Sequence, residues 1–129
     1  MKLFDKQFKN LNKLYQCQKF DDAEKLALSL TENIPTHPYP WKILGALQMQ
    51  RGELFDSLYS MQKSADLAPN DSQAHLNIGI ALKKLGRLDE AEVSYSQAID
   101  IKPDFAEAHN NLGNVLKQLG RLDEAIESF

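Results

Sequence analysis

Ala74-His75-Leu76-Asn77-Ile78-Gly79 and Ala108-His109-Asn110-Asn111-Leu112-Gly113 stand 34 residues apart. Each runs on into a near-identical tail, Leu85-Gly86-Arg87-Leu88-Asp89-Glu90-Ala91 and Leu119-Gly120-Arg121-Leu122-Asp123-Glu124-Ala125. The glycine keeps the same step upstream, at Gly45. A fixed period of this length is the signature of stacked, similar units rather than of one core wrapped around a catalytic pocket.

Taking that glycine as the eighth residue of a repeat frames the chain as one array with repeats at 4–37, 38–71, 72–105 and 106–129. The first repeat is the most divergent, with Leu11 where the glycine should stand. It keeps the small residue of the second half (Ala23, in line with Ser57, Ala91 and Ala125) and the closing proline (Pro35, in line with Pro69 and Pro103). The fourth ends at Phe129, in line with Ala27, Met61 and Tyr95, which suggests a fragment of a longer protein.

Within a repeat the apolar spacing is helical. Leu76, Ile78, Ile80, Leu82 and Leu85 combine steps of three and four, and so does the set from Ala91 to Ile101, which Pro103 closes. Gly86 and Gly120 lie between the two segments, where a helix C-terminus favours a residue that adopts positive φ. Asp89-Glu90 and Asp123-Glu124 open the second helix, where negative charge suits the dipole. Asn70-Asp71-Ser72 offers N-caps to the third repeat and Asp104 to the fourth. Each repeat is therefore two antiparallel helices, A and B, brought close by the small residues, and no strand pattern interrupts them. A pair this small buries its apolar face only against its neighbours.

The composition is that of an ordinary soluble chain, with 129 residues, 43% hydrophobic and 26% charged. A net charge of −3 gives no field for nucleic acid or an anionic membrane. The N-terminus lacks a secretory apolar segment, and no apolar run nears the roughly 18 residues of a membrane span. One cysteine, Cys17, excludes an internal disulfide and fits a cytoplasmic location.

Trp41-Lys42-Ile43-Leu44-Gly45 with Pro69, then Ile78-Gly79, Ala91, Tyr95 and Pro103, then Leu112-Gly113, Ala125 and Phe129, resemble the tetratricopeptide repeat over essentially the whole chain. His75 and His109 depart from its tryptophan, Ser57 from its alanine and Gln18 from its turn glycine. The resemblance implies an all-α solenoid of antiparallel helix pairs, a right-handed superhelix whose A helices line a concave groove for a partner's peptide or helix. On that geometry the groove-facing residues are Phe8, Lys9, Asn12, Tyr15 and Gln16 in the first repeat and Tyr39, Lys42, Ile43, Ala46, Met49 and Gln50 in the second. They are Gln73, Leu76, Asn77, Ile80, Lys83 and Lys84 in the third, and Glu107, Asn110, Asn111, Asn114, Lys117 and Gln118 in the fourth. Asn77 and Asn111 stand one repeat apart, and an asparagine amide offers an acceptor and two donors to a peptide unit. The tract from His109 to Lys117 is similar to the repeats of O-linked N-acetylglucosamine transferases, whose asparagine ladder holds substrate peptides. The clamp that takes heat-shock chaperone tails is disfavoured, because Gln73, Glu107, Asn77 and Asn111 stand where it needs basic residues.

Other constellations reduce to structure. His75 and His109 have no third ligand in register, since Trp41 and Gln7 fill the equivalent places, so no metal or other cofactor is expected and packing is their role. Cys17 aligns with Leu85 and Leu119 and is expected to be a buried, inert thiol. The Asp-Glu pairs repeat at helix starts and serve the dipole. With no phosphate loop or nucleophile elbow, the chain is not an enzyme by itself. Three functions compete: a peptide-binding scaffold, the substrate-recruiting arm of a larger glycosyltransferase, and a self-assembly module joined through Leu116, Leu119, Leu122 and Ile126.

Overall fold

The computed structural model describes residues 2–120. Among them are seven α-helices and no strand: α1 Lys2–Gln16, α2 Phe20–Asn33, α3 Pro38–Gln50, α4 Leu54–Leu67, α5 Ser72–Lys84, α6 Leu88–Ile101 and α7 Ala106–Gln118. Helices α3, α5 and α7 begin on the first residues of three repeat frames. Packing divides the chain into two compact units, residues 1–67 with α1 to α4 and residues 68–129 with α5 to α7.

In the first unit the core joins Leu11 of α1, Ala23, Ala27 and Leu30 of α2, Ile34, and Leu44 and Leu47 of α3. Phe8, Tyr39 and Trp41 pack on its edge. In the second unit the buried set is Ala74, Leu76, Ile78, Ala81 and Leu82 of α5, Ala91, Tyr95 and Ala98 of α6, and Ala108, Val115 and Leu116 of α7. Helix propensity alone would not hold helices of 13 to 15 residues in water, so burial of these apolar stripes stabilises them.

The periodic glycine is the contact between helices A and B. A Cβ built on Gly79 would lie 2.5 Å from Cε1 and 2.7 Å from Cδ1 of Tyr95, and one on Gly45 would lie 2.7 Å from Cγ of Met61. The first repeat solves the same contact with sizes exchanged: Leu11 stands in the glycine place, Ala27 in the Tyr95 place, and both are 0% exposed. Volume across the pair is kept, which is why the missing glycine is tolerated.

Each A helix ends in the same reversal. Gly52, Gly86 and Gly120 have φ of 78°, 79° and 78°, and Gln18, in the equivalent place, is forced to 61°. The amide of Lys19 donates to Leu14, that of Glu53 to Gln48 and that of Arg87 to Leu82, closing each helix C-terminus. The second helices then open on acidic residues, Asp21 and Asp22 in α2, Asp89 and Glu90 in α6. Arg87 donates to Glu90 at 2.7 Å, which holds that carboxyl below the usual carboxylate range.

Of the three cap candidates Asn70, Asp71 and Ser72, Asp71 caps α5, accepting from the amides of Gln73 and Ala74. Asp104 does not cap α7: the cap position falls on Phe105, whose side chain turns into the core and takes the Lys102 ammonium 4.9 Å from its ring. Cys17 is corrected from buried to exposed. It occupies the turn after α1, a place that only half-buries Leu85 and Leu119, and the shorter thiol side chain does not reach back to the core. Asp123, Glu124, Leu122, Ala125, Ile126 and Phe129 lie outside the described residues.

Candidate functional site

In the second unit an open cleft of about 370 Å³ is lined by Ile80, Lys83 and Lys84 of α5, Tyr95 of α6, and Glu107 and Asn111 of α7. The helical period produces it. Ile80, Lys83 and Lys84 are three and four residues apart, so they share one face of α5, and Glu107 and Asn111 share one face of α7 by the same rule. The two lysines sit in the last turn of α5 and Glu107 in the first turn of α7, each where the helix dipole favours its charge.

Five of the expected groove residues, Ile80, Lys83, Lys84, Glu107 and Asn111, meet in this cleft. Asn77 lies one turn before Ile80, and its Oδ1 accepts from Gln73 Nε2 at 3.1 Å. That bond uses one of the two lone pairs of Asn77 Oδ1, so the second lone pair and the amide hydrogens are what Asn77 can offer a peptide N–H and carbonyl. Asn110 and Lys117 are exposed and Asn114 half-buried, all on α7, and none of the three lines the cleft. Tyr39, Lys42 and Met49 are half-buried in the first unit, where the Tyr39 ring rests 5.5 Å from that of Phe8 and burial pushes its hydroxyl pKa up. Leu76 is corrected: at 0% exposed it belongs to the core and has no surface to offer a ligand. Leu116 is likewise 2% exposed, so it presents no apolar patch.

The histidines are latches. Nε2 of His75 lies 2.9 Å from the carbonyl of Pro69, and Nε2 of His109 lies 2.8 Å from that of Pro103. Trp41 Nε1 donates to the carbonyl of Pro35 at 2.9 Å in the same way. A carbonyl only accepts, so each histidine carries its hydrogen on Nε2, and imidazole replaces indole as the donor that ties an A helix to the proline six residues earlier. Among the described residues no three metal-ligating side chains come together, and no helix is long and apolar enough to cross a membrane.

Tyr95 lines the cleft too, although by its place in the repeat it is a packing aromatic and not a groove residue. Its side chain is 0% exposed, and its hydroxyl is the one buried side-chain polar atom among the described residues with no hydrogen-bond partner. Burial, then the charge of Glu107, push its pKa up to about 12. The signal was present in the alignment: Tyr95 brings a hydroxyl to a place that Ala27 and Met61 fill without a polar hydrogen.

Two family models match, a TPR repeat model over residues 81–120 and a tetratricopeptide repeat model over residues 60–93. No curated protein matches the chain. Among solved structures, a crystal structure of MamA superposes with a TM-score of 0.91 at 23% identity, over 95% of this chain and 72% of that one. MamA from residue 41 to its end, of Desulfovibrio magneticus RS-1, gives 0.87 at 19% identity, over 95% and 70%. These likenesses show the fold class, an all-α solenoid of helix pairs.

Proposed function

We propose that this chain of tetratricopeptide-type repeats is a non-catalytic interaction scaffold that holds an extended segment of a partner protein along its A helices. The observation that carries the reading is the open cleft in which Asn111 of α7 joins Ile80, Lys83 and Lys84 of α5. Concave array faces are binding faces, and amides one repeat apart match the donor and acceptor groups of a peptide backbone. A net charge of −3 favours a protein partner over a polyanion, and a lone exposed thiol suits a reducing cytoplasm.

The test is a library of extended peptides probed with the full chain, then with Asn77→Ala and Asn111→Ala combined. Each lost amide contact should weaken binding about five- to tenfold. Unchanged affinity in the double variant would exclude the amide row as the grip. The same row supports a recruiting role for a glycosyltransferase, a reading that ends if the coding sequence around these residues carries no transferase domain.

Self-association has its own support in α4, where Phe55 is 72% and Tyr59 is 59% exposed. A strictly monomeric mass by light scattering through the micromolar range would reject it.

A further inference from the structure

Phe55 stands in the first turn of α4, at the place that Asp21 and Asp89 take in the neighbouring repeats. An aspartate there suits both the N-terminal dipole and water, whereas the phenylalanine gives up both and is left 72% exposed. Tyr59, one turn on, shares its face and is 59% exposed. The Tyr59 ring is held in place: Trp41 meets it edge-on at 6.0 Å, and the Lys63 ammonium lies 5.5 Å from its centroid. Trp41 is itself fixed by its bond to the Pro35 carbonyl. Aromatic rings already ordered on one exposed ridge lose little freedom on association and have the composition of an interface hot spot.

The charges beside the ridge point to what covers it. Asp56 lies three residues before Tyr59 and Lys63 four residues after it, so Tyr59 sits midway between them. Asp56 and Lys63 are seven residues apart, which puts them on one flank of α4, about 10 Å from each other along its axis. Both are exposed, and among the described residues neither enters an ion pair. Phe55 and Gln62, also seven apart, share the other flank. A helix laid antiparallel on this face needs a lysine opposite Asp56, an aspartate opposite Lys63 and a flat ring opposite Tyr59. Read backwards, α4 itself carries that order. We propose that this face of α4 binds α4 of a second copy, antiparallel, about a two-fold axis at Tyr59. The contact pairs Asp56 with Lys63 twice, brings the two Tyr59 rings together and covers each Phe55 with Gln62 of the other copy. Such an interface is isologous and closes at two copies. The inference rests on the self-association reading above and gives it a surface, a register and a stoichiometry. A wholly acidic or wholly basic partner would satisfy only one of the two charges.

The experiment is sedimentation equilibrium of the full chain through the micromolar range, with the fold of each variant checked by thermal melting. The parent should fit a monomer–dimer equilibrium with no larger species. Lys63→Asp alone sets two like-charged pairs face to face and should weaken the dimer about tenfold or more, as should Asp56→Lys alone. Asp56→Lys and Lys63→Asp together restore both pairs and should return the affinity to within about threefold of the parent. Phe55→Asp places on the ridge the residue that the neighbouring repeats carry there, and it should leave a folded monomer. A dimer indifferent to the single reversals or to Phe55→Asp overturns the antiparallel pairing and leaves self-association standing. So does a double swap that binds no better than either single variant, or a mass that keeps growing beyond two copies. A parent chain that stays monomeric throughout overturns both readings.

Discussion

Replacing Gly79 with alanine tests the contact that sets the whole frame. The added Cβ would sit 2.5 Å from Cε1, 2.7 Å from Cδ1 and 3.0 Å from Cζ of Tyr95, whereas carbon atoms rest at about 3.5–4.0 Å. The ring must retreat by roughly 1 Å, and at 0% exposed it has no free space to enter. Overpacking of this kind costs about 1–3 kcal/mol, and a rigid ring in a closed core belongs at the upper end. Alanine returns about 1 kcal/mol of helix propensity. The net loss is about 2 kcal/mol, or roughly 6 °C in melting temperature. Gly45→Ala presses on Cγ of Met61, a flexible side chain that can swing aside, so there the two effects should nearly cancel. Urea unfolding followed by circular dichroism measures both, and a double-mutant cycle isolates the contact: in a Tyr95→Met background the cost of Gly79→Ala should fall by about 1 kcal/mol or more. If Gly79→Ala is as stable as the parent, or costs the same beside methionine, the close-approach account of the period is wrong.

Three further outcomes follow from single positions. Gln18 holds φ at 61° where the other repeats use glycine, so Gln18→Gly should raise stability by about 1 kcal/mol, and Gly86→Ala should lower it by a similar amount in the same urea assay. His75→Phe keeps the ring but removes the donor to the Pro69 carbonyl, which should cost about 1 kcal/mol, whereas His75→Trp restores the donor and should be close to neutral; equal losses in both would refute the latch. Tyr95 holds its proton up to about pH 12 in the folded chain and, like any exposed tyrosine, up to 10.0 when unfolded. Its contribution is therefore complete below pH 10 and is lost as the pH rises from 10 to 12. The alkaline loss should be larger in the parent than in Tyr95→Phe by on the order of 2 kcal/mol, measured as the difference between their urea midpoints across that range.

The frame was legible because it rests on positions where geometry leaves little choice. Gly79 must be small because Tyr95 crosses it, Gly86 must accept positive φ because the chain reverses there, and Asp71 caps because two amide hydrogens lack acceptors. Each requirement leaves its residue type in the sequence at a fixed spacing. The failures fall where spacing specifies a place but not what surrounds it. Cys17 shares its place with Leu85 and Leu119, yet only the longer leucines reach the core from that turn. Leu76 and Asn77 are neighbours in sequence about 100° apart round the helix, and that step separates a core residue from a groove residue. The histidines read as packing because indole and imidazole share shape, whereas their common act is to donate to a proline carbonyl six residues back. Tyr95 shows the limit most clearly. The repeat predicts which side chain faces Gly79, and Ala27, Met61 and Tyr95 all satisfy that demand by volume. Whether the extra oxygen of Tyr95 finds a partner depends on residues of other helices, which lie outside its own 3.6-residue period. A hydroxyl unneeded for packing and left unpaired in the core marks where the chain departs from its repeat in chemistry while keeping it in volume.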